Sequence, residues 1–572
     1  MGISGAPQWR ARTVFAAVIL LAVSLASLLA QSDALTVYEV QSQDVPVLVA
    51  LCLSVLATSF WAPSWQLKTK LLPWWALVGA AAAIAAFAAS GAYAVFANYS
   101  LSRDEHMVLF DMAVYEKGRL AFPLQPFWRP YARALVPDFL LSDRMPIGLV
   151  SAYLPLNALL RLAFSKIADP AWFNPLLAVA GGFALFDIVR RLFGPDSRAS
   201  WVALAVYGLS AQMLINAMTP FSMTGHMALN LIWLAAFLRG GKSWTVVAIL
   251  MGIIATGFHQ LVFHPFFVAP FLLWKLRQGE WRLVSVYAAA YAAIILCWAF
   301  YPLLASAEAA SVAGAAANDD FWRERVLPLL THRTPGTTGL MVMNLVRFTA
   351  WQHFALLPLL IAAVPVSLRQ RGLPGVLLLG IVAWLAFVTL VLPYQGLGWG
   401  FRYLSGYLGS FAILAAYGYR DLEARLGARA DGIVIVLSAL TTVVSIPFLL
   451  VTTERFAEPY IVLERLIKRQ QTPFVLINTE VTPAPDDRWT THPFGQVRNL
   501  PDLSNRPLRF SSNQMDPELL ARLCGRGPVT LITRRDMQRV GFEANVPEPS
   551  SQFDGLIRAA APKAPGCFRK AT

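Results

Sequence analysis

The sequence has few charged residues. Lys, Arg, Asp and Glu make up only 14% of its 572 residues, whereas hydrophobic residues make up 57%. A soluble domain carries about 25% charged residues. Together with a mean hydropathy of +0.53, this shortage excludes an ordinary soluble protein and predicts an all-α polytopic membrane protein.

Cysteine and histidine are scarce too, and neither occurs at a metal-binding spacing. The four Cys and seven His residues are scattered, which argues against a zinc site. Cys524 and Cys567 lie near the C-terminus, where a disulfide and two free thiols both remain open. Residues 13–30 predict a retained signal anchor rather than a cleaved leader.

The basic residues mostly flank apolar segments. A formal net charge of +14 can indicate a nucleic-acid partner, but this placement favours membrane topology and anionic lipid headgroups. Arg10 and Arg12 place the N-terminus in the cytoplasm by the positive-inside rule. The apolar segments predict about 13 transmembrane helices. They lie near residues 13–31, 45–63, 72–97, 172–193, 198–215, 224–238, 243–258, 260–275, 283–304, 341–367, 373–392, 402–419 and 431–452.

The segment 145–164 is long enough to span, but it is predicted to be an interfacial or re-entrant helix. If it spanned the membrane, the basic stretch "DIVRRLFGPDSR" would face outward; if it does not, every later basic loop falls inside. Pro146 and Pro155 also weaken it as a span. Residues 98–171 therefore form a long outer loop.

The composition changes near residue 453. Of the last 120 residues 30 are charged, against 50 of the first 452. We therefore expect a transmembrane domain over 1–452 and a small soluble α/β domain over 453–572 on the outer, periplasmic side. "TPFVLINTEV" and "GPVTLITRR" predict buried strands, and "DPELLARLC" predicts a short helix with Asp516 near its N-terminus.

The outer loop opens with "SRDEHMVLFDMAVYE". In a helix that starts near Ser102, the side chains of Asp104, Asp111 and Tyr115 share one face. Glu105 stands three residues after Ser102, which is the spacing of a capping box. Capping and a role in a site both remain open for Glu105, and Asp104 is either a solvated loop acid or a catalytic carboxylate.

Two further motifs carry cations. "SDRMP" places Asp143 and Arg144 before the segment 145–164, and "GFRYL" places Arg402 and Tyr403 at the outer start of a late span. A guanidinium binds phosphate oxygens bidentately, although contact with lipid headgroups and snorkelling are alternatives. His264, in "GFHQLVFHP", is either a core histidine or a substrate contact.

The order of "RDE", "DRMP", "RRLFG" and "FRYL" resembles the GT-C superfamily of membrane glycosyltransferases, which use polyprenyl-phosphate sugars. The sequence looks most like the protein O-mannosyltransferase and lipid A aminoarabinose transferase branches. The resemblance covers the organisation of residues 72–420. It departs from the family in two places: the acidic pair follows the third predicted span rather than the first, and "DRMP" has one proline instead of two.

This resemblance implies a GT-C-like fold and an inverting glycosyltransferase at the outer face of a bacterial inner membrane. The enzyme would move a sugar from a polyprenyl-phosphate donor to an acceptor hydroxyl on a lipid, a glycan or a protein. Asp104 would be the catalytic base, with Glu105 as an orienting acid. The residues expected to bind the donor phosphate are Arg144, Arg402 and Tyr403.

The remaining polar residues of these motifs are candidates for the substrate cavity, namely Asp111, Asp143 and His264. No cofactor is expected. The acidic residues would permit a divalent metal, but the resemblance argues against one.

A membrane transporter or flippase for a lipid-linked or anionic substrate is the alternative function. A transporter should carry ionisable residues within its spans and related halves. Here most charges lie at loop level and the sequence shows no repeat. A third hypothesis, a structural membrane protein whose soluble domain binds partners, leaves the arrangement of the motifs unexplained.

Overall fold

The computed structural model describes most of the chain. The described residues are 5–30, 35–66, 74–135, 140, 147–194, 197–313, 327, 336–370, 372–392, 394–479, 496–542 and 551–572. Asp143 and Arg144 lie outside the described residues. Within the described part, helices dominate and two small sheets accompany them.

Most apolar segments form helices, because a helix satisfies its own backbone hydrogen bonds in lipid. The first α-helices are Gly5–Ser27, Leu35–Glu39, Val45–Phe60, Trp74–Ala94, Arg103–Glu116, Ala132–Leu135, Leu156–Ser165, Phe173–Phe193, Arg198–Gly208, Ala211–Ala217, Met223–Arg239, Gly241–Thr256 and Phe263–Arg277. The others are Trp281–Ala313, Thr337–Ala350, Leu356–Arg369, Leu373–Val391, Leu408–Leu426, Ala428–Leu440, Ile446–Arg469, Pro517–Cys524, Arg534–Arg539 and Ser551–Ala560. Single turns of π-helix, Val40–Asp44 and Thr441–Ser445, and of 3₁₀-helix, including Arg402–Tyr407, join some of them.

The protein is a multi-pass membrane protein, but the prediction of 13 spans is not confirmed. Six described helices are long and apolar enough to cross a membrane, or up to seven if the bent pair Arg198–Gly208 and Ala211–Ala217 is one span. The predicted span 341–367 consists of two helices, Thr337–Ala350 and Leu356–Arg369. Hydropathy averaged over a window does not register this break, because the two polar residues in it, Gln352 and His353, are outnumbered by the apolar residues on both sides.

The segment 145–164, predicted as an interfacial helix, is helical only over Leu156–Ser165. The prediction is wrong for the first half of the segment. There, Gly148–Leu149 (β2) pairs antiparallel with Phe122–Pro123 (β1), so that the outer loop folds back on itself.

Hydrogen bonds to another loop replace those of the expected helix. The backbone N–H groups of Leu154 and Leu156 donate to the carbonyl oxygens of His259 and Gly257, at 3.1 and 3.0 Å. The helix begins only after Pro155, whose ring cannot donate a hydrogen bond. The outer loop is thereby joined to the loop after helix Gly241–Thr256.

The C-terminal part contains a four-stranded parallel sheet. Its strands are Phe474–Ile477 (β3), Leu508–Ser511 (β4), Val529–Ile532 (β5) and Phe568–Lys570 (β6), in the spatial order β4-β3-β5-β6. Both predicted strands are confirmed, as β3 and β5. The helix Ile446–Arg469 leads into β3 from the membrane part, so the boundary predicted at 452/453 lies within a continuous helix.

Two local features of the C-terminal part that contains this sheet, called the sheet domain from here on, test predictions made from the sequence. The predicted short helix forms over Pro517–Cys524, and the Asp516 carboxylate accepts the N–H groups of Glu518 and Leu519 at its start. Of the two options for the cysteines, the structure has the disulfide between Cys524 and Cys567.

The sheet packs on the outer loop and shares one hydrophobic core with it. Tyr131 and Leu135 of the loop are buried in the same cluster as Phe474 and Phe510 of the sheet. The Tyr131 hydroxyl also donates to the Leu519 carbonyl at 3.0 Å. The outer loop and the sheet therefore form one folded unit.

A charged cluster is buried among the helices of the membrane part. Arg347 pairs with Glu39, and its Nε lies 3.8 Å from Asp44 Oδ2; all three side chains are fully buried. The Trp351 indole donates to Asp44 Oδ1 at 2.6 Å. Since a buried charge is costly unless it is paired, this cluster ties the N-terminal spans to helix Thr337–Ala350.

Gly418 lets two helices cross with their backbones in contact. A Cβ at this position would overlap the carbonyl oxygen of Leu359, so Gly418→Ala must push Leu408–Leu426 away from Leu356–Arg369. We expect a loss of about 1–3 kcal/mol of stability, measured as a lower melting temperature in detergent. Gly79→Ala is the matched control, because no heavy atom lies within 4 Å of the added Cβ; equal melting temperatures for the two variants would contradict the prediction.

Candidate functional site

The helix Arg103–Glu116, called the site helix from here on, begins with a capping box. Ser102 Oγ accepts the Glu105 N–H at 3.1 Å, and the Glu105 carboxylate accepts the Ser102 N–H at 2.7 Å. The capping predicted for Glu105 is confirmed. These reciprocal bonds fix the first turn of the helix, which carries Asp104.

Glu105 has features that a surface cap would lack. Its side chain is fully buried, and its Oε1 has no hydrogen-bond partner in the part of the chain that the structure describes. Burial raises the pKa of Glu105 to about 7, against the opposing hydrogen bond from Ser102 and the charge of Arg498. A carboxyl group with a pKa near neutrality can exchange a proton under physiological conditions.

Asp104 lies between a tyrosine and an arginine from distant parts of the chain. The Tyr153 hydroxyl donates to Asp104 Oδ1, and Arg402 Nη1 forms an ion pair with Oδ2. Only 9% of the Asp104 side chain and 12% of the Arg402 side chain are exposed. Burial raises the pKa of Asp104, but the charge of Arg402, helped by His259 and Tyr153, brings it below its usual range. Asp104 is therefore an ionised carboxylate held by Arg402.

Buried polar side chains hold the segment that carries Arg402. Gln395 Oε1 accepts the backbone N–H of Arg402 at 2.9 Å. Gln212 Nε2 donates to the Phe401 carbonyl at 2.9 Å and to Ser405 Oγ at 2.8 Å. Any other course of this segment would leave buried polar groups unpaired, so the guanidinium of Arg402 is presented at a fixed place.

Asp111 lies two turns along the site helix from Asp104 and faces the same segment of chain. Ser151 Oγ donates to Asp111 Oδ2 at 2.9 Å, two residues before the Tyr153 that meets Asp104. The shared face predicted for the two carboxyl groups is thus present. Burial raises the pKa of Asp111 to about 8, against the smaller effect of Ser151, so one carboxyl group is ionised at neutral pH and the other is protonated.

Tyr403 is buried beside Arg402. The guanidinium carbon of Arg402 lies 5.3 Å from the centre of the Tyr403 ring, which is within the range of a cation–π contact. The Tyr403 hydroxyl donates to the Tyr394 carbonyl at 3.4 Å. Asp143 and Arg144, which were predicted to stand near this site, are among the residues that the structure leaves undescribed.

His264 is a core residue. Its Nδ1 bonds to Asn230 Oδ1 and its Nε2 to the Tyr291 hydroxyl, each at 2.7 Å. Asn230 in turn donates to the Gly406 carbonyl at 2.9 Å. Because both ring nitrogens are occupied, the core alternative for His264 fits the structure and the proposed substrate contact does not.

Tyr153 and His259 belong to the site, although the sequence did not single them out as site residues. Their rings stack, with 4.9 Å between centroids and 14° between planes, and His226 lies 5.7 Å from His259. Both histidines are buried, and their ring nitrogens have no hydrogen-bond partner among the described residues. Tyr153 lies in irregular chain, where side-chain periodicity provides no signal.

The arrangement combines a proton acceptor with an oxyanion-binding group. A carboxylate can take a proton from a hydroxyl, and a guanidinium can hold phosphate oxygens. Here Asp104 and Arg402 neutralise each other, so an anion that binds Arg402 would release Asp104. Over the described ranges, no group of three or more His, Cys, Asp or Glu side chains could hold a metal ion.

The fold has counterparts among solved structures. ArnT from Cupriavidus metallidurans bound to undecaprenyl phosphate matches with a TM-score of 0.51 at 11% identity, over 86% of this chain and 89% of ArnT. ArnT in the apo state gives a TM-score of 0.49 at 12% identity, over 73% and 84% of the two chains. No protein-family model and no curated protein matches the sequence. The likeness to ArnT confirms the predicted GT-C resemblance at the level of the fold.

The raised pKa of Asp111 makes the stability of the protein depend on pH. The pKa of aspartate in an unfolded chain is about 4, whereas burial raises the pKa of Asp111 in the folded protein to about 8. Between these two pH values the folded state keeps a proton that the unfolded state has lost. Stability therefore falls as the pH rises through this window. We expect Asp111→Asn, which mimics the protonated form, to remove that slope, so its advantage in melting temperature over the wild type grows from about pH 5 to about pH 8.

The control for this experiment is Glu116→Gln, which changes an exposed carboxylate on the same helix. Its melting temperature should follow the wild-type pH profile through the same window. Parallel profiles for Asp111→Asn and the wild type would show that the Asp111 proton is not retained on folding.

Proposed function

We propose that this protein is an inverting glycosyltransferase that transfers a sugar from a polyprenyl-phosphate donor to an acceptor hydroxyl. The observation that carries the proposal is the buried Asp104–Arg402 ion pair, in a fold like that of ArnT. ArnT is a lipid A aminoarabinose transferase of GT-C type, and its structure has been solved with bound undecaprenyl phosphate. The reaction would take place at the outer face of a bacterial inner membrane, with the N-terminus in the cytoplasm and the sheet domain in the periplasm.

In the proposed reaction, Asp104 accepts the proton of the acceptor hydroxyl. The hydroxyl oxygen attacks the anomeric carbon on the face opposite the phosphate, and the bond between that carbon and the phosphate oxygen breaks. The bonding electrons leave with the polyprenyl phosphate, whose charge Arg402 balances. A single displacement of this kind inverts the anomeric centre.

The ion pair couples donor binding to activation of the base. While Arg402 holds Asp104, the carboxylate is stabilised and is a weak base. A donor phosphate competes for the same guanidinium, and a bidentate phosphate contact is a strong charge-assisted interaction. Once Arg402 turns to the phosphate, Asp104 loses the largest of the contributions that lower its pKa, and burial then acts against only the smaller ones of His259 and Tyr153. The carboxylate therefore becomes a stronger base when the donor is present.

Other predicted residues have supporting roles in this proposal. Glu105 orients the first turn of the site helix, and Arg144 and Tyr403 remain candidates for the donor phosphate. Asp111 and Asp143 remain candidates for the substrate cavity, in which a protonated Asp111 can donate a hydrogen bond. The acceptor belongs to one of three classes, lipid, glycan or protein. A divalent metal is not favoured in this proposal, because arginine supplies positive charge at the phosphate.

Transport of a lipid-linked or anionic substrate is the second candidate function. The buried cluster of Glu39, Asp44 and Arg347 favours it, since ionisable residues inside a membrane often mark a transport pathway. The Asp104–Arg402 pair and the sheet docked on the outer loop favour the transferase. Failure to release lipid phosphate from any donor would shift the balance toward transport.

Release of lipid phosphate tests the transferase directly. Purified protein is incubated with polyprenyl-phosphate sugars and candidate acceptors, and acceptor-dependent release of polyprenyl phosphate is measured. We expect Asp104→Asn to lower the rate by about 10²–10⁴-fold, because the base is lost. Glu116→Gln, on the same helix but exposed, should retain the wild-type rate. Release that survives Asp104→Asn would remove Asp104 as the base.

The affinity for undecaprenyl phosphate is a second test of the site. Asp104→Asn, which is expected to lose activity, is expected to gain affinity. Because Asp104 competes with the phosphate for Arg402, we expect Asp104→Asn to bind undecaprenyl phosphate more tightly than the wild type. Arg402→Gln should bind it more weakly, by about 1.5–3 kcal/mol for a charged hydrogen bond. Fluorescence or calorimetric titration measures both affinities. Weaker binding by Asp104→Asn would argue against the exchange of partners at Arg402.

A further inference from the structure

The sheet domain contacts the chain directly before the site helix. A short segment, residues 496–499, lies between the sheet and the residues that lead into the helix. It is held on the sheet side by Arg509, whose Nη1 donates to the Gln496 carbonyl at 3.1 Å and whose N–H donates to Asn499 Oδ1 at 2.9 Å. Arg509 itself forms a buried bidentate pair with Glu464, at 2.6 and 2.9 Å.

Arg498 extends from this anchored segment to the start of the site helix. Its Nη1 donates to Ser100 Oγ at 3.0 Å, and its Nη2 donates to the Leu101 carbonyl at 3.2 Å. Its guanidinium carbon also lies 4.1 Å from the centre of the Tyr99 ring. One planar group thus contacts three successive residues, immediately before the Ser102 that caps the site helix.

The same region contains buried polar atoms that lack partners. Tyr99 Oη, Glu105 Oε1 and both amide atoms of Gln496 form no hydrogen bond of ordinary length among the residues described, although Gln496 lies close enough to Tyr99, and Thr219 to Glu105, to lower the pKa values of these two residues. Buried polar groups without good hydrogen bonds destabilise the arrangement to which they belong, so this region needs a restraint from elsewhere. The two hydrogen bonds and the ring contact of Arg498 provide that restraint.

We propose that Arg498 is a positioning residue by which the sheet domain holds the site helix in place. Its contacts with residues 99–101 lie directly before the capping box, and through them it acts on the first turn of the helix that carries Asp104. The sheet domain is thus part of the active site's framework, not a separate binding module. The contribution to catalysis rests on the proposed function, whereas the effect on the helix does not.

Amide hydrogen exchange of the full-length protein in detergent tests the effect on the helix without any substrate. We expect Arg498→Met to speed exchange in residues 99–116 by about tenfold or more, which corresponds to about 1.4 kcal/mol of lost local stability. Exchange in β3 and β5 should stay unchanged. Arg498→Lys, which keeps the charge and one donor, should restore part of the protection.

Arg526→Met is the matched control. Arg526 also extends from the sheet domain to an aromatic ring of the outer loop, with its guanidinium carbon 3.7 Å from the centre of the Phe127 ring, but it lies away from the start of the site helix. We expect it to leave exchange in residues 99–116 unchanged. Equal exchange in the wild type and Arg498→Met, or equal acceleration throughout the sheet and the helix, would overturn the positioning role.

A kinetic measurement tests the consequence for catalysis. With a donor accepted by the wild type, we expect Arg498→Met to lower kcat by roughly tenfold or more, because a displaced catalytic group is costly, with little change in the KM of the donor. A raised KM with unchanged kcat would contradict the proposal. If no donor is turned over by the wild type, the proposed function fails, and the exchange experiment still decides the role of Arg498.

Discussion

The ion pair between Asp104 and Arg402 is the interaction on which the rest of the site depends. It joins residues that are 298 positions apart, and it does so where little water screens the charges. A buried carboxylate without a partner would be costly, and so would a buried guanidinium. The site helix and the segment that carries Arg402 must therefore stay together, or both must return to water. Tyr153, which donates to the other oxygen of Asp104, brings the third segment into the same arrangement.

Polar groups buried in the membrane part also hold the segment that carries Arg402 in place. Gln212 holds the Phe401 carbonyl before Arg402 and the Ser405 hydroxyl after it, and His264 acts through Asn230 on Gly406. Gln212 and Asn230 would each lose hydrogen bonds if the segment moved, so the segment is held in place before any substrate arrives. Such preorganisation favours electrostatic catalysis, because the backbone that carries the guanidinium stays in place while the side chain changes partner. Arg498 of the sheet domain contacts the residues at the entry to the site helix in a comparable way.

Features that depend on local chemistry were predictable from the sequence. The capping box of Ser102 and Glu105, the shared face of Asp104 and Asp111, and the strands β3 and β5 all follow from spacing within a few residues. The number of spans was not predictable in this way, because a few polar residues at a break between short helices, such as Gln352 and His353, are outweighed by the apolar residues around them. The first half of the segment 145–164 also failed as a helix, since its backbone bonds to the loop at Gly257 and His259 instead.

By itself the sequence determined the membrane class, most helical segments, the cap of the site helix and the residue types available for chemistry. These properties follow from hydropathy, periodicity and short-range hydrogen bonding, which act within one or two turns of chain. Only the tertiary structure decided that Arg402 meets Asp104, that Tyr153 completes the site, that His264 is a core residue and that Arg498 reaches the site helix. Those contacts join distant segments, and their geometry depends on how every intervening helix and loop packs, which no local pattern encodes.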